Sequence, residues 1–308
     1  MFLPCTTNLP TLPIEVWERV IDWLVVGYTP TSGSTYHNDI NFRRDLSRCA
    51  LVCRAWRVRT QMHLFAFLRI SGKGLSQYQA LVLKTPILCD FAKDLHFYNE
   101  YVETSETKIS HRTVETTSHA VRIAQKLPHV DHLMMDTINL ALEHPHFSKH
   151  IAALTINQLV FCTRIPTRLS QLARMLVGLK NLSALFLDVL IIVDSHPLPI
   201  PTPCYATKSS LTKLDLVIQP GGELLLDWLV KAKSFTPSLQ TLDVWYGDQI
   251  PQSSIPLISQ SVQALLDNCI GHLNGWHFVA RLTVEELASV PHGNLDLTVS
   301  IATDSDYS

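Results

Sequence analysis

The chain is poor in glycine, with 11 residues in 308, and it contains neither a Gly-x-Gly-x-x-Gly turn nor a Walker-type loop. Both motifs let backbone N–H groups approach phosphate closely, so nucleotide binding has no support. An excess of charge of one sign is lacking as well. Charged residues make up 17% of the chain and the formal net charge is −2. No surplus of Lys and Arg exists to neutralise a row of phosphates, and nucleic acid is not expected as a partner. Apolar runs stay far below the ~18 residues that span a bilayer, and residues 1–8 have neither a basic n-region nor an apolar h-region. Secretion and a membrane partner are therefore not expected.

Catalytic and metal signatures are missing too. There is no Gly-x-Ser-x-Gly elbow and no His-Glu-x-x-His, and no spacing ties a Cys or Ser to a His base. The chain is expected not to be an enzyme and to use no cofactor. Its seven cysteines, Cys5, Cys49, Cys53, Cys89, Cys162, Cys204 and Cys269, form an odd, scattered set and not a disulfide framework. They read as reduced core thiols, which points to the cytoplasm or nucleus. Cys49 and Cys53 share one side of a helix, but no second Cys or His pair follows at zinc spacing. His144, His146 and His150 surround Pro145 without a matching Cys or carboxylate and read as exposed loop histidines. No metal site is expected.

What the chain does have is apolar content, at 46%, enough for a sizeable core and roughly two domains. Residues 1–70 are helical in pattern, broken by a polar loop at 27–41. Residues 71–112 read as a mixed connector with one strand near 95–98. From Thr113 onward short apolar strands alternate with amphipathic helices at 169–179, 223–232 and 262–270. The strand candidates are Leu133-Met134-Met135, Leu154-Thr155-Ile156, Leu185-Phe186-Leu187, Leu214-Asp215-Leu216, Leu242-Asp243-Val244 and Leu295-Asp296-Leu297, with a weaker one at 276–279. Their leading leucines recur about every 20 to 30 residues, a unit too small to bury its own apolar face, so it must stack on its neighbours.

Two phrases, Leu211-Thr212-Lys213-Leu214-Asp215-Leu216 and Leu239-Gln240-Thr241-Leu242-Asp243-Val244, fit Leu-x-x-Leu-x-(Leu/Val). This resembles the irregular leucine-rich repeats. The Asn that normally caps the strand is missing, with Gln219 and Gly247 nearby. An ordinary α/β domain with a parallel sheet gives a similar alternation and is the alternative. On a solenoid, Asp215, Asp243 and Tyr246 are the candidate substrate-facing residues. Trp245 and Tyr246 follow on a strand and read first as packed beneath a loop, as an alternative to a binding ridge.

The N-terminal stretch carries the sharper pattern. Pro13 suits a first helical turn and Glu15 sits near the positive end of the helix dipole. Ile14, Trp17, Ile21 and Leu24 form one stripe and Val16, Val20 and Trp23 a second, which gives an apolar arc wider than one packing face requires. A second short helix, over 45–56, is equally rich in apolar side chains. Unclaimed apolar surface on so small a unit points to protein binding. A plain helical cap on the solenoid is the bland alternative.

The segments Leu12-Pro13-Ile14-Glu15-Val16 through Val20-Ile21-Asp22-Trp23-Leu24, then Leu46 through Leu51-Val52-Cys53-Arg54-Ala55-Trp56, resemble the F-box. The loop between the two halves is longer than usual, at a small cost in closure entropy. The resemblance implies three short helices that dock on a Skp-type adaptor, and through it on a cullin-RING ubiquitin ligase. It nominates Leu12, Pro13, Val16, Ile21, Leu24, Leu46, Leu51, Val52 and Trp56 as the adaptor interface and its support. The expected architecture is α/β overall: a three-helix F-box at 9–65 followed by an irregular leucine-rich-repeat-like solenoid at 75–303, which would select an unknown protein substrate. A scaffold that binds partners without promoting ubiquitination is the alternative, and an α/β enzyme of unrecognised type a more distant one.

Overall fold

A computed structural model of the chain describes residues 13–26, 37–71, 74–98, 121, 123–140, 143, 146–192, 211–232, 238–246, 250, 252–269 and 275–279. One six-residue pattern, apolar-x-x-Leu-x-apolar, governs most of it. It occurs at 65–70, 92–97, 130–135, 156–161, 182–187, 211–216 and 239–244. In each copy the Leu-x-apolar half lies within a strand. The strands are β1 (Phe67–Ser71), β2 (Asp94–Tyr98), β3 (His132–Asp136), β4 (Gln158–Arg168), β5 (Ala184–Ile192), β6 (Lys213–Ile218) and β7 (Thr241–Tyr246), and β8 (Gly275–Val279) follows.

All eight strands are parallel and lie side by side in chain order. The register aligns the pattern across the sheet. Leu68, Leu95, Leu133, Leu159, Leu185, Leu214 and Leu242 form one ladder, which Trp276 continues. Residues two further along each strand form a second ladder on the same face. Both ladders are buried from β1 to β7, as are the leading residues Ala92, Val130, Ile156, Leu182, Leu211 and Leu239.

Backbone hydrogen bonds repeat with the same period. The Lys93 carbonyl accepts from the N–H groups of Asp131 and His132 at 2.9 and 3.1 Å. In the same way Asp131 accepts from Asn157 and Gln158, Asn157 from Ser183 and Ala184, Ser183 from Thr212 and Lys213, and Thr212 from Gln240 and Thr241. Each strand entry thus has its polar backbone satisfied by its neighbour, which fixes one unit on the next.

The helices are α1 (Ile14–Val26), α2 (His37–Val52), α3 (Arg54–Ala66), α4 (Leu75–Lys84), α5 (Phe147–Ala152), α6 (Leu169–Gly178), α7 (Gly222–Ala232) and α8 (Ile255–Cys269). Apolar stripes on α6, α7 and α8, for example Leu172 and Met175, Leu226 and Trp228, Val262 and Leu265, share the core with the strand ladders. The turn into α7 requires Gly221. Its φ is +82°, and a Cβ there would stand 2.2 Å from the Ile191 carbonyl oxygen.

The molecule is therefore α/β with a parallel sheet, as the alternation in the sequence predicts. Several local expectations are corrected. Leu154-Thr155-Ile156 is not a strand: Leu154 closes α5, its N–H donating to Ile151 at 2.9 Å, and Ile156 is the leading residue of the copy whose strand begins at Gln158. β4 runs on through a register irregularity between Thr163 and Thr167, where Pro166 has no N–H to offer a ladder. The buried Thr163 and Thr167 hydroxyls bond there to the Ile165 N–H and carbonyl, at 3.1 and 3.0 Å. The sheet starts at Phe67, inside the stretch read as helical, and α2 starts at His37, inside the stretch read as a loop. A strand occupies 275–279 as the weak signal at 276–279 predicts. Leu295-Asp296-Leu297 lies outside the described residues. Among the described residues no helix is long and apolar enough to cross a membrane.

Candidate functional site

Helices α1, α2 and α3 pack on one another as a small unit, and Phe65 of α3 also reaches the main core. α1 opens at Pro13, whose carbonyl accepts from the Val16 N–H at 3.0 Å. Inside the unit Ile21 and Leu46 are fully buried, and Trp17 packs against Trp56 with ring centroids 5.0 Å apart and a tilt of 48°. This core is separate from the main apolar cluster, whose buried members begin at Leu68.

Polar contacts pin α1 onto α3. Arg59 donates from Nε to Asp22 Oδ1 at 2.7 Å and from Nη2 to Oδ2 at 2.5 Å, and His63 Nε2 lies 2.7 Å from Oδ1. The Arg59 bonds hold the Asp22 carboxyl down to about 2 despite its partial burial. Arg43 Nη1 donates to the Phe67 carbonyl at 3.1 Å, tying α2 to the first strand.

Outside this frame the unit exposes apolar surface. Val16, Val20, Trp23 and Leu24, with Arg19, line a shallow depression along α1. Where α2 meets α3, Leu51 is 80% and Val52 63% exposed. Of the twelve large apolar side chains exposed among the described residues, eight belong to these three helices: Ile14, Val16, Val20, Trp23, Leu24, Leu51, Val52 and Val58. That concentration makes the unit the candidate interaction surface.

The residues nominated from the sequence divide into three groups. Pro13, Val16, Leu24, Leu51 and Val52 are exposed. Ile21 and Leu46 are buried beneath them, and Trp56 is half-buried against Trp17. Leu12 lies outside the described residues. Val20 and Trp23 stand outside the nominated set, although the second stripe of the wide arc contains both. Val58 had no signal, being a lone valine among arginines.

The face of the sheet opposite the buried ladders carries a third ladder: Arg69, His96, Met134, Val160, Phe186, Asp215 and Asp243, with His277 next in register. At its first edge His96 is buried between Phe67 and Tyr98, and the Arg69 guanidinium lies 4.3 Å from the Tyr98 ring centre. Burial, reinforced by Arg69, pushes the His96 imidazole down to about 4. At the other end Asp215 and Asp243 stand side by side. Lys213 Nζ is 3.1 Å from Asp215 Oδ2 and 3.8 Å from Asp243 Oδ2. Burial, and then the Asp243 carboxyl beside it, lift the Asp215 carboxyl to about 6 against the pull of Lys213.

Trp245 is 44% exposed and not packed beneath a loop. Tyr246 ends β7, and its side chain lies outside the described residues. Cys89 and Cys269 are buried thiols, whereas Cys53, between α2 and α3, is exposed and departs from the expectation of core thiols. His146 is exposed and His150 half-buried, and His144 lies outside the described residues. Among the described residues no group of three His, Cys, Asp or Glu side chains is placed to hold a metal ion.

Compared with known proteins, the chain matches no family model, no curated sequence and no solved structure. The functional reading rests on the geometry above and on the sequence motifs.

Proposed function

We propose that this chain is the substrate-recognition subunit of a Skp-cullin-F-box type ubiquitin ligase, docking on the adaptor by α1–α3 and selecting substrate by the sheet that follows. The observation that carries the reading is the split within the nominated residues. Ile21 and Leu46 hold three short helices together, while Pro13, Val16, Leu24, Leu51 and Val52 stand in solvent with nothing to cover them among the described residues. A unit with so small a core gains stability from a partner that covers such a surface.

The sheet supports the second half of the reading. Its strands follow chain order without the reversal that makes a ligand crevice in doubly wound α/β folds. Seven aligned copies of apolar-x-x-Leu-x-apolar, the last six tied one to the next by the same pair of backbone bonds, fit an irregular leucine-rich-repeat solenoid. The mechanism is proximity. Substrate held near a charged ubiquitin-conjugating enzyme has its lysines raised in effective concentration, and this chain supplies no reacting group.

Mixing the purified chain with a purified Skp-type adaptor, and sizing the product by light scattering, tests the first half. A one-to-one complex is expected, and two separate species would contradict it. Adding the cullin-RING components then tests the second. A bound partner that acquires ubiquitin fits the ligase reading, and one that is held but never modified fits the scaffold.

A further inference from the structure

We propose that the β5–β7 end of the open sheet face takes a basic side chain, Lys or Arg, from a protein segment laid across the strands, an inference that rests on the reading of this sheet as the substrate-selecting part. The register places Phe186, Asp215 and Asp243 next to one another, with Val217 and Trp245 in the adjoining row. Among the described residues the two carboxylates share one lysine, which leaves the pair a net negative charge. Lys213 reaches only the Oδ2 atom of each aspartate. Asp215 Oδ1 and Asp243 Oδ1 are both buried and have no hydrogen-bond partner among the described residues. The neighbouring carboxylate is not in this condition: Asp188 Oδ1 accepts from Gln219 Nε2 at 2.9 Å.

Like charges directly opposite on paired strands disfavour the fold, and orphaned carboxylate oxygens add to that cost. The Oδ1 atoms are closed to solvent, so a guanidinium or ammonium group would meet the pair at the edge its side chains leave exposed, where a donor-only positive charge offsets the repulsion. Its alkyl stem would lie on Phe186, Val217 and the exposed Trp245, where the indole face also favours a cation. The apolar row Met134, Val160 and Phe186 leads up to the pair at one residue per strand, ~4.8 Å apart. An apolar residue beside the basic one therefore has a surface to meet, which favours a protein segment over a free small cation.

The test uses the full chain and fluorescent peptides that differ at one position, Arg, Lys, citrulline or Glu, beside a fixed Leu and otherwise randomised. Arg and Lys peptides should bind on the order of tenfold or more tighter than the citrulline and Glu peptides. The isosteric double variant Asp215→Asn with Asp243→Asn should lose that preference. Lys213→Gln, which bares both carboxylates, should bind the Arg and Lys peptides more tightly than the parent. No preference for a cation, a preference that survives the Asn pair, or unchanged or weaker binding by Lys213→Gln overturns the proposal. Adaptor capture read in the same samples separates the two ideas. If adaptor is not captured but the cation preference stands, the ligase reading falls and the basic-segment surface remains. If adaptor is captured and the preference is absent, only this inference falls.

Discussion

Helices α1–α3 and the sheet that follows use apolar residues in opposite ways. In the sheet, leucines at fixed register are buried, and the ladder on the opposite face, half-buried apart from the buried His96, has polar side chains at four of its seven positions from β1 to β7. Among the described large apolar side chains of the helical unit only Ile21 and Leu46 are fully buried, while Trp23 and Leu51 are 79% and 80% exposed. A segment that closes on itself buries its apolar side chains, and one that completes a surface with a partner leaves them out. The contrast shows a sheet that stacks on itself and, on the proposed function, leaves the helices for a partner. Ala66 and Phe67, where α3 passes directly into β1, are the point of change.

The comparison breaks most easily from the sheet side. Leu214→Asp places a charge in a side chain that is 1% exposed and should cost about 4 kcal/mol or more, unfolding the strands around it. Limited proteolysis should then cut the sheet while α1–α3 still capture adaptor. A resistant sheet would show that the ladder is not the core. Next in size, Val16→Asp with Leu51→Asp should weaken adaptor capture by ~2 kcal/mol or more. Thermal unfolding should barely move, because both side chains are already exposed.

Smaller effects sharpen the contrast. Gly221→Ala should lower stability by about 2 kcal/mol, because the backbone conformation and the Ile191 carbonyl both exclude a Cβ. The melting temperature reads this directly. Asp22→Asn should loosen α1 from α3 by ~1 to 2 kcal/mol, since its partners are only partly screened from water. The Asp22 carboxyl is held down from 3.8 to about 2. Its contribution is therefore complete above the ordinary carboxylate value and is lost as pH falls toward 2, which the fluorescence of the Trp17–Trp56 pair should follow. Asp215 carries the opposite sign. Its carboxyl is lifted to about 6, so the stability of its neutral form is present below 3.8 and lost as pH rises through 6. Asp215→Asn should then raise stability at neutral pH by ~1 kcal/mol, read by denaturant titration.

Much of the sheet is legible in the sequence because period-two burial and a repeated Leu-x-x-Leu-x-apolar phrase leave little freedom. Copies 211–216 and 239–244 carry that phrase in full. Three copies give a weaker signal, each for a physical reason. Phe65 is still in α3, so no breaker announces β1. Ala92 leads the second copy with a side chain too small to stand out. At β4 two overlapping frames compete, Leu154–Ile156 and Leu159–Phe161, and only the backbone bonds to Asp131 choose between them.

The helical site was half legible. A wide apolar arc on α1 says that two surfaces are needed, but it does not say which stripe turns inward. That choice depends on Asp22 meeting Arg59 and His63 across the α1–α3 interface, contacts 37 and 41 residues apart in sequence. Local pattern carries no trace of such pairs. For the same reason Ile21 and Leu46, nominated beside Val16 and Leu51, turn out to be support and not surface.

Hydrogen exchange on the full chain, with and without a Skp-type adaptor, tests the central claim most directly. Protection should appear along α1 from residue 13 to 24 and around Leu51 and Val52, with the exchange of β2–β7 unchanged. No protection on the helices, or protection centred on the face that carries Asp215 and Asp243, would contradict it.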